Sequence, residues 1–417
     1  MLKVVESFSG IGSQAKALKN IGIEYQIVAT IDWDINAIIA YDIIHNGKPK
    51  LEKYSLLTKE ELIDKLKKYT LSSDGKQSLP LIRLKRMKKI ELEHLLGAIN
   101  RSNNLTSITD VRGEQLPNQI DLFTYSFPCQ DLSIAGAWHG NNSGIDRNAN
   151  NRSGMLWEVE RILFERRDLN INLPKFLLME NVNNILSNAH KNNFNEWKSE
   201  LEEMGYINIV YSLNAKDFGI PQKRQRVYML SIQCNKNKKL ESLVQEYIAN
   251  NNLNNEMFLK RLNINQKSIK DILKVDYNKD KKYREEANFS QPNETPSRLK
   301  IYEQNDKIYD GKNVIVDIIS TITTKQDRNP NSGVLEYNNG MEGKSKFRYL
   351  TPRECFLFMG FEEEDFQRLI DNNFYVTDNR KFFTYNKLYK LAGNSIVVNV
   401  LEYIFKQVDY INKNIFK

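Results

Sequence analysis

The 417-residue chain has only three cysteines, Cys129, Cys234 and Cys355, which are too few to build a disulfide framework. No apolar stretch approaches the roughly 20 residues that a helix needs to cross a bilayer. An apolar strand pattern already begins at Val4, so we expect no secretory leader before it. These absences favour a reducing, intracellular setting, and we expect a cytoplasmic protein with no membrane partner.

Histidine is also scarce, and the chain lacks an internal repeat and a long low-complexity linker. The four histidines have neither the Cys/His nor the paired-His spacing of metal sites; they are His45, His94, His139 and His190. The sequence therefore predicts no bound metal.

Basic residues outnumber acidic ones by 60 to 52, which gives a net charge of +8 and a pI near 9.0. This balance fits a polyanionic partner, although cationic surfaces also occur on proteins that never touch nucleic acid. The length favours a large core with one smaller module.

The first half alternates short apolar runs with helical patterns, which is typical of a mainly parallel sheet covered by helices. The predicted strands are Lys3–Ser9, Tyr25–Asp32, Asp121–Phe127, Lys175–Asn181, Ile207–Asn214 and Val227–Ile232. The helices predicted between them are Gln14–Ile21, Asn36–His45, Leu156–Glu165 and Asn193–Met204. The pattern predicts an α/β fold of the Rossmann type.

Two stretches depart from that rhythm. Residues 50–105 are lysine-rich and helical, with a capping box that begins at Thr58, and we interpret them as an insertion. Their cluster Lys85, Arg86, Lys88 and Lys89 could contact a DNA backbone or form a solvated helix face. From Cys234 to about Lys346 the apolar periodicity weakens, which indicates a second, more irregular module, and helical patterns resume at Pro352–Met359 and Ser395–Phe405.

The stretch from Val4 to Gly12 has the pattern of an apolar strand, a glycine turn and the start of a helix. Glycines let a ligand approach the backbone, and a helix N-terminus offers free amide donors. The second strand ends at Asp32-Trp33, where nucleotide-binding folds place an acid for ribose hydroxyls. The combination indicates a nucleoside-bearing cofactor; a tight connection without a ligand and an ordinary loop acid are the alternatives.

Two chemically useful side chains follow later strands. Cys129 lies in Ser126-Phe127-Pro128-Cys129-Gln130, ahead of a Gly-, Asn- and Ser-rich loop at residues 131–152 that we interpret as a lid. Glu180 ends the next strand, at the same sheet edge, where a carboxyl group could hydrogen-bond a heterocycle or supply a proton to it. A buried structural cysteine and a surface carboxylate are the alternatives.

Two arginines precede the last predicted strand of the first half. Arg224 and Arg226, in Gln222-Lys223-Arg224-Gln225-Arg226, would point to one face by strand alternation. Two guanidinium groups on one face suit phosphate or carboxylate recognition.

In this order and spacing, the motifs resemble those of the C5-cytosine DNA methyltransferases of the bacterial restriction–modification type. Five sets of residues carry the resemblance: Phe8, Gly10 and Gly12 (FxGxG); Pro128, Cys129 and Gln130 (PCQ); Glu180, Asn181 and Val182 (ENV); Gln222, Arg224 and Arg226 (QxRxR); Gly393, Asn394 and Ser395 (GNS). Arg348 to Cys355 resembles the motif that precedes GNS in the family. The resemblance covers the whole chain.

The resemblance implies a class I methyltransferase fold, a Rossmann-like mixed sheet with helices on both faces. It places the S-adenosylmethionine-binding catalytic domain at residues 1–233, completed by residues 386–417. A smaller irregular target-recognition domain would occupy residues 234–385, where Thr321-Ile322 resembles the family's Thr-Leu signature.

The resemblance also implies roles for individual residues. Cys129 would be the covalent nucleophile, with Glu180, Arg224 and Arg226 as the other catalytic residues. Gln130, Ser133 and Thr321 would contact DNA. The implied cofactor contacts are Phe8, Gly10, Gly12, Asp32, Trp33, Asp110, Val111, Leu156, Asn394 and Ser395. Asp32 stands where many relatives carry Glu, and its shorter reach should still permit a ribose contact.

We therefore expect a monomeric bacterial enzyme that methylates carbon 5 of a flipped-out cytosine in double-stranded DNA and releases S-adenosylhomocysteine. A cognate restriction endonuclease acting on the same site is a candidate partner. Three rival interpretations are a tRNA cytosine methyltransferase of the same family, a catalytically silent DNA-binding homologue and a dinucleotide-dependent oxidoreductase. The oxidoreductase would leave the PCQ and GNS motifs unexplained, and the intact Cys129, Glu180 and Arg224 set weighs against the silent homologue.

Overall fold

The computed structural model describes residues 1–128 and 152–416 of a chain that forms two compact units. The first unit consists of residues 1–213, 225–262 and 401–417, and the second of residues 214–224 and 263–400. Cys129, Gln130 and Ser133, and nearly all of the predicted lid at residues 131–152, lie outside the described residues.

A six-stranded sheet organises the first unit, in the order β2-β1-β3-β4-β7-β5. Its strands are β1 (Leu2–Ser7), β2 (Tyr25–Ile31), β3 (Leu122–Tyr125), β4 (Phe176–Val182), β5 (Tyr206–Asn214) and β7 (Gln225–Gln233). β1, β2, β3 and β4 are parallel to their neighbours, whereas β7 runs antiparallel to β4. The carboxyl ends of the four parallel strands therefore meet at one edge, and all six predicted strands are confirmed.

Both faces of this sheet are buried, as a parallel sheet requires. Val5, Phe123, Leu177 and Met179 pack in one core cluster that includes residues of the helix at 156–168. The alternate residues of the same strands are also buried, and the Phe176 ring packs at a tilt against Phe416 near the end of the chain. The predicted α/β fold with a mixed sheet between helices is confirmed.

The helices of the first unit follow the apolar periodicity of the sequence. Its helices are α1 (Ser13–Asn20), α2 (Ile35–Asn46), α3 (Glu52–Ser55), α4 (Lys59–Leu66), α5 (Leu81–Arg86), α6 (Lys89–Arg101), α7 (Leu156–Asp168), α8 (Lys191–Glu203), α9 (Lys238–Asn250) and α10 (Glu256–Arg261). The four helices predicted between the strands begin and end within three residues of α1, α2, α7 and α8.

The insertion at residues 50–105 forms α3 to α6. Thr58 caps α4 and accepts a hydrogen bond from the amide of Glu61, whose side chain reaches back to the Thr58 amide, so the predicted capping box is confirmed. In the basic cluster, the Lys89 ammonium lies 3.6 Å from Glu93 and donates to the Ser55 carbonyl, while Lys85, Arg86 and Lys88 are exposed.

The second unit is more helical than the weak periodicity of residues 234–346 predicted. Its helices are α11 (Ile269–Ile272), α12 (Lys281–Ser290), α13 (Pro296–Gln304), α14 (Pro352–Phe358), α15 (Glu363–Asp371) and α16 (Tyr385–Asn394). Its strands are β6 (Gln222–Lys223), β8 (Lys307–Tyr309), β9 (Ile319–Ser320), β10 (Val334–Glu336), β11 (Phe347–Arg348), β12 (Tyr375–Thr377) and β13 (Arg380–Lys381). They pair as a three-stranded sheet, β11-β10-β8, and two ribbons.

The compact units differ from the predicted domain limits at three places, the first of which is residues 214–224, which belong to the second unit. Helices α9 and α10 belong to the first unit, although the sequence placed them after the boundary at residue 233. Residues 386–400 belong to the second unit, and α17 (Val398–Asn414) starts there and continues into the first. Composition changes near Cys234, whereas the first unit continues to residue 262. The functional roles of the two units stay predictions.

A buried ion pair organises the motif from Arg348 to Cys355 inside the second unit. The Arg348 guanidinium donates two hydrogen bonds to the Glu354 carboxylate, of 2.8 and 2.9 Å, and a third to the Tyr277 hydroxyl. The Glu354 carboxylate also accepts from the amides of Thr351 and Lys274. Burial raises the pKa of Glu354, but the Arg348 charge and these donors outweigh it and leave the pKa below its usual value. The pair is therefore fully satisfied, as a buried charge must be.

In the described part of the chain, no helix has both the length and the apolar character needed to span a bilayer.

Candidate active site

The glycine turn follows β1 and carries three residues with positive φ. Phe8, Gly10 and Gly12 have φ values of 54°, 54° and 77°, and the Phe8 amide donates to the Ile31 carbonyl at 2.7 Å. Gly12 then becomes the N-cap of α1. The chain thus reverses sharply between the end of β1 and the first turn of a helix, and residues without side chains let a ligand approach the backbone of such a turn closely.

The two glycines of this turn have different surroundings. A Cβ atom on Gly12 would lie 2.2 Å from Nε2 of His45, whose ring also bonds the Ile11 carbonyl at 2.9 Å, so packing excludes a side chain there. A Cβ atom on Gly10 would meet nothing within 4 Å. Gly12 is therefore required by the fold, whereas Gly10 borders open space that fits the approach of a ligand.

Asp32 joins the glycine turn to the end of β2. One carboxylate oxygen accepts a hydrogen bond from the Gly10 amide at 2.8 Å, and the other accepts from the Asp34 amide at 2.9 Å. Trp33, the next residue, is half-buried. The structure thus brings together Gly10, Asp32 and Trp33, three of the residues predicted to hold the cofactor.

The remaining predicted cofactor positions of the first unit have different degrees of exposure. Asp110 is exposed and Val111 is buried, and the Val111 carbonyl accepts from Arg161 at 2.8 Å. Leu156 is completely buried at the start of α7, within the core cluster.

Glu6 is a fully buried carboxyl group on β1, two residues before the turn. Burial raises the pKa of Glu6 to about 7, against the nearby Tyr41 hydroxyl and Ala15 amide, which favour the charged form. The same burial, with Glu6 nearby, raises the pKa of Tyr41 well above its usual value. A carboxyl group that titrates near neutrality therefore lies directly behind the glycine turn.

This burial makes the stability of the protein depend on pH between the ordinary pKa of 4.5 and the folded value of about 7. In that window the unfolded chain has released the Glu6 proton and the folded chain has kept it, so stability falls as pH rises. We expect Glu6→Gln to gain about 3 kcal/mol in free energy of unfolding relative to wild type between pH 4.5 and pH 8. Urea denaturation at several pH values measures this, and Glu24→Gln, at an exposed carboxylate, is the control. A difference that does not change with pH would contradict it.

The segment after β3 leads to Cys129 and is held by β4. The Asn181 side chain donates to the Phe127 carbonyl at 3.1 Å, and its oxygen accepts from the Val182 amide at 2.8 Å. Pro128 follows, and it is the last described residue before Cys129. Asn181 therefore fixes the backbone two residues before the predicted nucleophile.

Glu180 and Arg226 form an ion pair at the same edge of the sheet. The Arg226 Nε atom lies 3.4 Å from a Glu180 carboxylate oxygen, and both side chains are mostly buried. β4 and β7 are antiparallel, with Glu180 opposite Tyr228 and Val182 opposite Arg226, so the two charged residues are diagonal neighbours on one face. The structure brings together these two predicted catalytic residues.

Strand alternation predicted that Arg224 and Arg226 would point to the same face. In the structure, Arg224 does not lie in a strand. It lies between β6 and β7, where the chain passes from one unit to the other. Its guanidinium is buried and donates to the carbonyls of Ile322, Gly393 and Ser395 at 2.9, 3.0 and 2.8 Å. These contacts are those of a residue that holds backbone in place within the second unit.

The predicted residues of the second unit surround Arg224. A Cβ atom on Gly393 would lie 2.5 Å from the backbone of Thr323 and Thr324, so the glycine of the GNS motif allows α16 to approach that segment closely. Asn394 is exposed and ends α16, and Ser395 is buried. The Thr321 hydroxyl donates to the Lys223 carbonyl.

Two of the three cysteines are described, and both are unsuited to act as nucleophiles. Cys234 and Cys355 are completely buried. Burial raises the pKa of Cys234 to about 11 and that of Cys355 well above its usual value, which disfavours the reactive thiolate. Of the described ranges 1–128 and 152–416, none brings three or more His, Cys, Asp or Glu side chains into a metal-binding group.

Sequence reasoning missed three residues that hold these sites together. Asn181 belongs to the ENV motif, yet only Glu180 was given a role. Gln222 begins the QxRxR motif, and its side chain bonds the Phe358 carbonyl and the Ile322 amide. Ser72 lies in the insertion, and its backbone pairs with Trp33 and Ile35. The motif membership of Asn181 and Gln222 was a usable signal, whereas nothing in the local sequence singles out Ser72.

Comparison with known proteins identifies the family. The model of the C-5 cytosine-specific DNA methylase family matches residues 91–409. The orphan methyltransferase M.SssI of Spiroplasma monobiae is 33% identical, and the match covers 98% of this chain and 97% of the relative. The type II methyltransferase M2.ScrFI of Lactococcus lactis subsp. cremoris is also 33% identical, with 98% and 99% covered.

Solved structures agree on the fold. The Dnmt2 methyltransferase of S. pombe superposes with a TM-score of 0.57 at 20% identity, over 99% of this chain and 100% of the other. The Entamoeba histolytica methyltransferase EhMeth gives 0.55 at 16% identity, with 99% of each covered. With the family match and the two full-length relatives, these findings mean that the chain belongs to the C-5 cytosine-specific DNA methylase family, whose members are S-adenosylmethionine-dependent DNA methyltransferases.

Proposed function

We propose that the protein transfers a methyl group from S-adenosylmethionine to carbon 5 of a cytosine flipped out of double-stranded DNA. The observation that carries this proposal is the edge where β1 to β4 end. Gly10 and Asp32 form a nucleoside-type site there, and Glu180 with Arg226 forms a charged pair on β4 and β7. Pro128, which precedes Cys129, follows β3 between them.

The open space beside Gly10 fits the cofactor. Asp32 and Trp33 would hold the ribose and the adenine, next to Asp110, Val111 and Leu156. Phe8, Gly10 and Gly12 would shape the turn around the methionine end, and Asn394 and Ser395 are proposed as further cofactor contacts. S-adenosylmethionine supplies an electrophilic methyl group when bound.

The chain's own residues would make the cytosine reactive. The Cys129 thiolate adds to carbon 6, and the electron pair displaced into the ring makes carbon 5 nucleophilic enough to take the methyl group. Glu180 hydrogen-bonds ring nitrogen 3 and the exocyclic amine, which stabilises the charge that enters the ring. After transfer the carbon 5 proton leaves, and the bond between sulfur and carbon 6 breaks to release the thiolate.

The contacts of the two arginines support a division of roles. Arg226 is paired with Glu180, so we assign to Arg226 the orientation of that carboxylate and the stabilisation of charge at the base. Arg224 donates to three backbone carbonyls, so we assign it a positioning role within the second unit in place of a direct contact with the base.

DNA recognition would use both units. A paired cytosine hides carbon 6 in the stack, so flipping at a cost of about a few kcal/mol is required. Gln130, Ser133 and Thr321 are the proposed DNA contacts, with residues 234–385 reading bases in the major groove.

We also propose that the enzyme works as a cytoplasmic monomer. One relative is named a type II methyltransferase, so we propose a restriction endonuclease of the same specificity as its partner.

Sequencing that resolves 5-methylcytosine tests this proposal on unmethylated duplex DNA treated with the purified protein and S-adenosylmethionine. We expect methylated cytosines in one short sequence context, and none in transfer RNA treated in parallel. Methylation confined to transfer RNA, or found in neither substrate, would overturn it.

Cofactor binding gives a further prediction because Gly10 has a close control in Gly22. Both glycines have positive φ, of 54° and 67°, and a Cβ atom on either meets nothing within 4 Å. Alanine should therefore cost each site a similar backbone strain of about 1–2 kcal/mol. We expect only Gly10→Ala to weaken S-adenosylhomocysteine binding, by about tenfold in Kd, measured by calorimetry. Equal Kd values for the two variants would contradict the placement of the cofactor at this turn.

A further inference from the structure

Part of the insertion lies against the acidic loop at the end of β2. The Ser72 amide donates to the Trp33 carbonyl at 2.7 Å, and the Ile35 amide donates to the Ser72 carbonyl at 2.9 Å. These two bonds pair Ser72 with Asp34 as in a parallel sheet. The Asn36 side chain adds a bond of 3.1 Å to the Ser73 carbonyl. Residues 71–79, which we call the clamp, therefore form hydrogen bonds with the chain on both sides of Asp34.

The clamp is closed by its own hydrogen bonds, centred on the Ser72 hydroxyl. This hydroxyl donates to the Gln77 carbonyl at 2.7 Å and accepts from the Gly75 amide at 2.9 Å. The Leu79 amide returns to the Leu71 carbonyl at 2.6 Å. Ser72 is completely buried, and Leu71 is nearly so. The hydroxyl thus gives a short loop one fixed shape, although the loop has no helix or strand of its own.

A continuous set of bonds connects the clamp to the glycine turn. Ser72 holds the backbone around Asp34, the Asp34 amide donates to one oxygen of Asp32, and the other oxygen accepts from the Gly10 amide. Asp34 also caps α2 through the Asn36 amide. Three bonds of this set, from the amides of Ser72, Asp34 and Gly10, are accepted by Trp33 or Asp32, the two residues assigned to the nucleoside.

We propose that the clamp is a built-in wall of the cofactor site and that Ser72 is a positioning residue for it. By holding Trp33 and Asp34, Ser72 keeps Asp32 and Trp33 oriented before the nucleoside arrives, so less conformational entropy is lost on binding. This inference rests on the proposed function, and it gives the insertion a role in cofactor affinity separate from methyl transfer itself.

Ser72→Ala tests the inference, and the adjacent Ser73→Ala is its matched control, since the Ser73 side chain is exposed. We expect Ser72→Ala to raise the Kd for S-adenosylhomocysteine and the KM for S-adenosylmethionine about tenfold, with kcat at saturation and DNA affinity within twofold of wild type. Ser73→Ala should match wild type, and Ser72→Thr, which keeps the hydroxyl, should restore most of the affinity.

Hydrogen exchange supplies a readout that does not depend on activity. Because the Ile35 amide is bonded to Ser72, we expect faster exchange in a peptide that covers residues 33–36 of the cofactor-free Ser72→Ala protein. If that variant fails to fold, Asp74→Ala replaces it, since the Asp74 carboxylate accepts from the Lys76 amide at 2.8 Å within the exposed part of the clamp.

Three outcomes would overturn the inference. The first is unchanged cofactor affinity despite faster exchange. The second is a fall in kcat with no change in KM. The third is equal loss in Ser72→Ala and Ser73→Ala. Failure of the proposed function is distinguishable, because then wild type itself would bind no S-adenosylhomocysteine, and the inference would fall with it.

Discussion

Replacing Cys129 by alanine is expected to reduce methyl transfer to an undetectable level while leaving the affinities for S-adenosylhomocysteine and DNA close to wild type. The sulfur atom is the group that would add to carbon 6, and without that addition carbon 5 stays too electron-poor to react. The binding contacts proposed above use other residues, so binding should survive. Methyl transfer is measured with radiolabelled cofactor, and binding is measured by titration.

The other two thiols supply the controls for this variant. Cys234 and Cys355 are buried with raised pKa, so alanine at either position should leave the reaction intact once folding is confirmed. DNA that carries 5-fluorocytosine should trap wild type covalently, because fluorine cannot leave carbon 5 as a proton does. The Cys234→Ala protein should still be trapped, and the Cys129→Ala protein should not. Turnover or an adduct in Cys129→Ala would refute the assignment of the nucleophile.

Glu180→Gln is expected to lower kcat by about 10²- to 10³-fold, the usual effect of removing one group that stabilises charge in a transition state. Glutamine keeps the size of the side chain but loses the negative charge that pairs with Arg226. It also loses the ability of a carboxyl group to supply a proton to ring nitrogen 3. The KM for S-adenosylmethionine should change little, because the residues proposed to hold the cofactor are Asp32 and the glycine turn. Steady-state kinetics on duplex DNA measure both constants.

A second ion pair of the first unit provides the comparison. The Glu158 carboxylate lies 2.8 Å from the Arg161 guanidinium on α7. Both side chains are partly buried, with 29% and 26% of their surfaces exposed. Glu158→Gln removes the same charge from the same kind of pair and should leave kcat within twofold. Arg226→Ala should resemble Glu180→Gln, since it removes the guanidinium that pairs with that carboxylate. A normal kcat in Glu180→Gln, or equal losses in Glu180→Gln and Glu158→Gln, would contradict a catalytic role.

The sequence predicted most of the first unit correctly because its signals are local. Strands such as β4 and helices such as α8 show their apolar period within a dozen residues. Strands that alternate with helices along the chain imply a parallel sheet whose strands have their carboxyl ends at one edge. Glu180 and Asp32 could therefore be placed at one edge without coordinates. The family motifs then indicated which reaction these residues would carry out. The order of strands and helices alone could not indicate it.

Contacts between residues far apart in the chain were not predictable. The Arg224 guanidinium bonds carbonyls 98, 169 and 171 residues away, so no local pattern could separate its role from that of Arg226, two positions further on. The extent of the first unit beyond residue 233 was not predictable for the same reason, since the packing of α9 depends on partners that composition does not reveal.

By itself, the amino-acid sequence determined the α/β class, the order of strands and helices in the sheet unit, and the candidate residues for the chemistry, because periodicity and motif spacing are properties of neighbouring residues. Only the tertiary structure decided which arginine pairs with Glu180. It also showed that packing leaves no room for a side chain at Gly12 but leaves room at Gly10, and that Ser72 hydrogen-bonds to the loop that contains Asp32. Those outcomes depend on distances between segments that meet only when the chain is folded.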